Sequence, residues 1–382
     1  MEGVGSLKGD APIFPVAAAN FDFEHPQIVE SLGAVSRGCE ATPVGGHTGD
    51  GPYTILIPPE ANTWLMMNTV RLKTRCRIVK GSANTPCAAD DIVAPVNNFA
   101  CSMFAKVDAW MNNTTNLDDA GDHANYKSYI EACLSYEGDA RDTHLRTQLL
   151  AMDTVGQYDT FKAKPVDDKD KHVNYGFKIR YDMTKESKVF ETYAPLQVDF
   201  FKCTKFLAPG NNLTVRLTMA APEWLLNSNA TDKNYKVVFD EMVLTYRRIT
   251  VDLPQPTKEI YPHVQSVLRH VIATPGVLSK TIDITAGGII PRQIIFFMVR
   301  SATADGRYDR NPYNFEHFNM KTHYLTINGR QEPFGGLRPH LTGRAGEPEA
   351  VDDLKCFADE MDGSTFADAL ATMNIDHWPT VD

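Results

Sequence analysis

The chain has 382 residues, 43% of them hydrophobic, enough for two domains with their own cores, and this excludes a disordered or fibrous protein. Its net charge of −10 is unevenly placed: from Glu347 to Asp382 ten acidic residues accompany a single lysine, Lys355, which leaves the first 346 residues at only −1. No basic stripe follows the chain, so no specific nucleic-acid contact is expected.

The opening MEGVGSLKGD lacks the basic region of a signal peptide, and the apolar run GGIIPRQIIFFMV is broken by Arg292. These features predict no membrane insertion and a place in the cytosol or nucleus. Seven cysteines (39, 76, 87, 101, 133, 203, 356) form no C-x-x-C pair and predict reduced, mostly buried thiols. The sequons at Asn112, Asn113, Asn212 and Asn229 then read as chance polar loops.

Short β-branched and aromatic runs, separated by Pro, Gly and Asn clusters, predict an all-β sandwich or barrel. In chain order the expected strands are PYTILIPP (52–59), TWLMMNTVRLKTRCRIVK (63–80), NFACSMFAKVDAWMN (98–112), GFKIRYD (176–182), APLQVDFF (194–201), NNLTVRLTMA (211–220) and YKVVFDEMVLTYRRITVD (235–252). Leu213, Val215, Leu217 and Met219 alternate with polar residues, which puts one strand face on a core. Two segments carry a helical period instead. YKSYIEACLSY places Tyr126, Ile130, Cys133 and Leu134 together, and Asp142 is an expected cap for THLRTQLLAM, with Leu145, Leu149 and Met152 on one stripe. The two prolines of LPQPTKEIYPHV (253–264) mark a break, after which strands are expected in SVLRHVIATPG, SKTIDITAGG and RQIIFFMVRSA.

No enzyme signature emerges, and neither a cofactor nor a metal ion is expected. GGHTGDG (45–51) has no Lys-Ser/Thr and no following helix, so it reads as a surface loop; DDAGDH (118–123) lacks the calcium-loop spacing and its closing glutamate. In the stretch NPYNFEHFNMKTHYLTINGRQEP (311–333), His317 and His323 would lie about 20 Å apart along a strand, too far to share one ion. Asn328-Gly329, between HYLTI and RQEP, predicts a two-residue type I′ hairpin turn. Phe315, Phe318 and Tyr324 are expected to pack.

Extended to Pro339, this stretch resembles a segment of the major capsid proteins of Polinton (Maverick) and adintovirus-like elements. The matching positions are Asn311, Pro312, Asn314, Phe315, His317, Asn319, Gly329, Pro333 and Pro339, with Asn328 at the turn. FAKVDAWMNN (104–113) is similar to that family's strand ending in a hairpin, YKSYIEACLSYEGDARDTHL (126–145) to its Tyr-Ile-Glu helix, and YKVVFDEMVLTYRRITVD to the strand closing its first barrel. The resemblance implies a mainly β double jelly roll, two tandem eight-stranded antiparallel barrels. The expected parts are an N-terminal arm (1–26), a first jelly roll (27–252) with a helical insertion near 126–152, and a second (253–382). It also implies a homotrimeric hexon in an icosahedral shell around double-stranded DNA, with penton and minor capsid proteins as partners and the virion as its location, assembled in the host nucleus or cytoplasm. The 113–175 connection is then a candidate tower or inter-subunit loop.

The family continues with further strands after this region. Here RPHL leads into an acidic segment in which FADALATMNI reads as a short helix, so the second barrel is expected to be incomplete, through a shortened gene or completion by something else. The rival reading is a glycan-binding β-sandwich, an attachment or lectin-like protein.

Overall fold

A computed structural model of the chain describes residues 35–49, 51–117, 124–162, 173–230, 234–251, 258–262, 264, 266–273, 279–284, 293–318, 320–327, 329–337 and 372–374. The expected arm at 1–26, the acidic turn at 118–123, Cys356 and most of the acidic segment after residue 346 lie outside them.

Eight strands build the larger part: β1 (Val35–Ala41), β2 (Tyr53–Ile57), β3 (Thr63–Lys80), β4 (Phe104–Met111), β5 (Thr115–Asn116), β6 (Phe190–Pro195), β7 (Leu213–Met219) and β8 (Tyr235–Thr250). All pair antiparallel. One sheet has the order β1-β8-β3-β6, with the two-residue strand Thr85–Pro86 also paired to the end of β3, and the other has the order β2-β7-β4-β5. Successive strands therefore repeatedly change sheets, and the first and last pair side by side, the order of a jelly roll.

The two sheets close on one core. Ile55 and Ile57 of β2 and Leu213, Val215 and Leu217 of β7 meet Leu72, Cys76 and Ile78 of β3 and Phe239, Met242 and Leu244 of β8. Tyr53 sets its ring edge to Phe239 across the sheets, with centroids 5.8 Å apart. Cys76, Cys87, Cys101, Cys133 and Cys203 are buried free thiols, and Cys39 is half-buried.

Several elements differ from expectation. GFKIRYD is not a strand: it lies in helix α2 (Tyr175–Thr184), preceded by helix α1 (Ala124–Ser135). Phe177, Ile179 and Tyr181 satisfy a period of two, but Phe177, Arg180, Tyr181 and Thr184 satisfy a helical period and are buried together with Gly176. The Asn174 side chain caps the helix by accepting from the Phe177 N–H at 3.1 Å. Within 98–112 the chain first makes a helical turn (Phe99–Ser102) and only then β4, because Asn98 sits in the left-handed region at φ 52°. In 194–201 the strand ends at Pro195, and Asp199–Lys202 is a 3₁₀ turn.

Asp142 is no cap. It ends a short helix (Gly138–Asp142), and its carboxylate accepts from Arg146 at 3.1 Å; a 3₁₀ turn (His144–Gln148) follows, burying Leu145 and Leu149 and leaving Met152 half-buried. Nor is α1 part of a projecting tower. Ala124 through Ile130 are buried, and Tyr126, Tyr129 and Cys133 join the central core.

Beyond β8, residues 266–273 and 279–284 are not strands, and Val267, Val271 and Ile272 are exposed with no strand partner among the described residues. RQIIFFMVRSA supplies the short strand β9 (Gln293–Ile295) and a helical turn (Ser301–Ala304). The expected hairpin is formed by β10 (His323–Ile327) and β11 (Arg330–Leu337), with Ile327 opposite Arg330. Thr372–Asn374, inside the expected helix FADALATMNI, is instead a strand, β12, paired with β9.

Candidate functional site

The stretch 311–333 divides in two. Its second half is the hairpin, where Gly329 takes φ +80°, the left-handed geometry the turn requires. Its first half, Asn311 to Glu316, contains no strand and is a docking segment on the jelly roll of β1 to β8. Of the family-like positions, the structure brings Asn311, Pro312, Asn314 and Phe315 together there, whereas His317 lies in the following turn, Gly329 sits at the hairpin and Pro333 falls in β11. Asn319, Asn328 and Pro339 lie outside the described residues.

The receiving surface comes from the chain between helices α1 and α2, within the connection from β5 to β6. Gly176 lets α2 approach it closely, since a Cβ there would stand 2.4 Å from the Met152 carbonyl oxygen and 2.5 Å from that of Ala151. This approach brings Arg180, fully buried, onto three acceptors: the Pro95 carbonyl at 2.9 Å, the Ala151 carbonyl at 2.5 Å and Asp153 Oδ1 at 2.7 Å. The other oxygen of Asp153 accepts from Asn311 Nδ2 at 2.9 Å. A buried guanidinium and carboxylate thus neutralise each other, and the carboxylate's second oxygen still needs a donor, which Asn311 supplies.

Asp159 holds the backbone of the same segment. It accepts from the Asn311 N–H at 2.7 Å, from Arg310 Nη1 at 3.1 Å and from Asn314 Nδ2 at 3.1 Å. Asn311 Oδ1 accepts from the Tyr313 N–H at 3.0 Å and so shapes the turn that delivers Tyr313 inward. That ring stacks on Tyr129 at 3.8 Å and meets Tyr126 and Trp224 edge-on. Its hydroxyl lies 2.5 Å from Ser102 Oγ and donates to the Asn125 carbonyl at 3.3 Å.

Burial pushes the phenols of Tyr313 and Tyr129 well above the ordinary tyrosine range, and that of Tyr126 up to about 12. These groups stay protonated at neutral pH, so the cluster is chemically suited to holding a segment in place. Upstream, Tyr308 donates to the Tyr235 carbonyl at 2.8 Å, and its own carbonyl accepts from the Ser228 N–H at 2.7 Å. Gly306 is needed here, because φ is +91° and a Cβ would lie 3.1 Å from Trp224.

The aromatics divide against expectation. Phe315 packs on the core beside Phe297, but Phe318 and Tyr324, beyond the docking segment, are about half exposed. His323 sits half-buried in β10, and burial lowers its pKa. Among the described residues no three His, Cys, Asp or Glu side chains gather into a metal-binding group. Asp153, Asp159 and Arg180 were not singled out by sequence reasoning. The available signal was one arginine among the buried-type residues of GFKIRYD, which demands a buried acid.

No protein-family model and no curated protein matches the chain. Among solved structures, the Faustovirus major capsid protein is 8% identical, with a TM-score of 0.34 over 60% of this chain and 57% of its own. The Sputnik virophage structure gives 10% identity and 0.39, covering 66% and 54%, and PBCV-1 VP54 fitted into the Sputnik reconstruction gives 11% and 0.33, covering 59% and 44%. The chain spans about half the length of the solved structures it matches.

Proposed function

We propose that this chain is a structural capsid subunit, the hexon-type major capsid protein of a Polinton- or adintovirus-like element, acting by self-assembly. The observation that carries the reading is the jelly-roll strand order of β1 to β8, onto which the capsid-like motif Asn311–Phe315 is locked by Asp153 and Asp159. A shell subunit has to transmit force without shearing between its parts, and charge-assisted bonds to the buried Asp153 and half-buried Asp159 carboxylates supply that stiffness. On this reading residues 27–252 are the first jelly roll and 253–382 belong to the second, to which β9 to β12 contribute. Three copies close into a pseudo-hexagonal capsomer, and capsomers tile an icosahedral shell around double-stranded DNA with penton and minor capsid proteins. The virion is then its location. The near-neutral charge through residue 346 lets identical copies pack without strong repulsion.

The test is the oligomeric state of the purified chain by sedimentation velocity and native mass spectrometry, followed by electron microscopy under assembly conditions. A homotrimer that builds closed particles is expected. A monomer that stays monomeric and binds a glycan on an array would overturn the proposal.

A further inference from the structure

Helix α2 is apolar on two sides. Its inner side carries Phe177 and Tyr181 into a cluster with Phe161, while Tyr175, Ile179 and Met183 repeat every fourth residue along the outside. These three are 60%, 38% and 43% exposed. Val155, 56% exposed, extends the stripe, because its neighbour Thr154 accepts from the Tyr175 N–H at 3.0 Å and so sits at that end of the helix. One flank of the stripe bears Lys178 and Asp182, paired at 2.7 Å, with Lys185 beyond.

This arrangement is self-complementary. If two copies of α2 pack antiparallel about a dyad near Ile179, the charged flanks fall on the same side, and Lys178 of each copy meets Asp182 of the other. Parallel two-fold packing would put the charged flanks on opposite sides of the contact, where neither Lys178 nor Asp182 reaches its counterpart. We infer that the outer face of α2 is a contact between two copies of this chain, related by a two-fold axis.

Size decides what kind of contact this is. A ten-residue helix is about 15 Å long and about 10 Å wide, so each copy buries at most a few hundred Å², below the roughly 800 Å² per partner of a stable pair. The contact is therefore weak alone and effective only when repeated, as between neighbouring capsomers in a shell, where multivalency multiplies weak contacts. This step rests on the capsid reading and names one of its lattice contacts.

The experiment uses full-length Lys178→Asp and Asp182→Lys chains, purified separately as trimers and then induced to assemble alone or as an equal mixture. Each variant alone opposes like charges across the dyad, and particle yield should fall at least about tenfold, the effect of about 1.4 kcal/mol. The mixture restores opposite charges only between chains, and yield should recover. Both variants should trimerise as the parent does. Normal assembly of either variant alone, or no recovery in the mixture, would overturn the inference; the latter is also the result if a segment of the same chain covers the stripe. A parent chain that forms neither trimers nor particles would overturn the capsid reading itself, and with it this lattice contact.

Discussion

Asp153 and Asp159 each serve the docking segment, but with different surroundings. Asp153 is buried with Arg180, and removing one partner strands the other's charge in the core. Arg180→Met is therefore expected to cost about 3–5 kcal/mol in denaturant unfolding, and Asp153→Asn a similar amount. The double variant should lose much less than the sum, because both charges then leave together. Asn311→Ala forfeits the bonds to Asp153 and to the Tyr313 N–H and should cost about 1–3 kcal/mol. A third carboxylate, Asp199, ties residue 266 to the same domain: it accepts from the Ser266 N–H at 2.6 Å and pairs with Lys127 at 2.8 Å. Burial by itself raises the Asp199 pKa, but the Lys127 charge and these hydrogen bonds outweigh it, and the net shift is downward. A folded pKa below the unfolded value means the unfolded chain takes up the proton first. The stabilisation is complete above the unfolded value near 4 and is lost as pH falls through the folded one. Urea titrations between about pH 2 and pH 7 should thus show a stability loss below about pH 4 that is smaller in Asp199→Asn; identical slopes would remove Asp199 from the account.

At the scale of elements, what could be read from the sequence depended on how far the pattern was local. The alternation in NNLTVRLTMA gave β7 and its buried face, and the Asn-Gly pair gave the hairpin, because in each case a short-range rule determines the outcome. In helix α2 the local pattern alone predicts a strand, because Phe177, Ile179 and Tyr181 fit a period of two as well as their neighbours fit a helix. What settles it is tertiary: a buried Arg180 and a glycine pressed on a carbonyl pair. Gly176→Ala tests that directly. A Cβ placed 2.4 Å from backbone oxygen has no flexible neighbour to displace, so the variant should lose its cooperative unfolding transition or accumulate as aggregate. Gly329→Ala is the contrasting case. Its site is open but its φ is positive, and a loss of about 1 kcal/mol with retained folding is expected in the same unfolding experiment.

For the whole molecule, strand content was legible but strand order was not, because pairing β1 with β8 depends on chain closure over more than two hundred residues. The docking site was half legible: Asn311, Pro312, Asn314 and Phe315 stood out in the motif, while their acceptors lie some 150 residues earlier in a loop without a motif. Those bonds have a consequence for cooperativity. The Ser228 N–H is held by the Tyr308 carbonyl, the Asn311 N–H by Asp159, and Tyr313 is part of the central core. If 308–316 is integral to the first jelly roll, its amides can open only when that domain does. Native-state hydrogen exchange should then give Asn311, Ser228 and the β7 amides opening free energies within about 1 kcal/mol of one another. Asp159→Ala removes the shared acceptor, and exchange at Asn311 should accelerate selectively while β7 stays protected. Fast exchange at both Asn311 and Ser228 in the parent chain would mean that the segment rests on the domain without being built into it, and the carboxylate clamp would then be a consequence of packing with no part in stiffening the subunit.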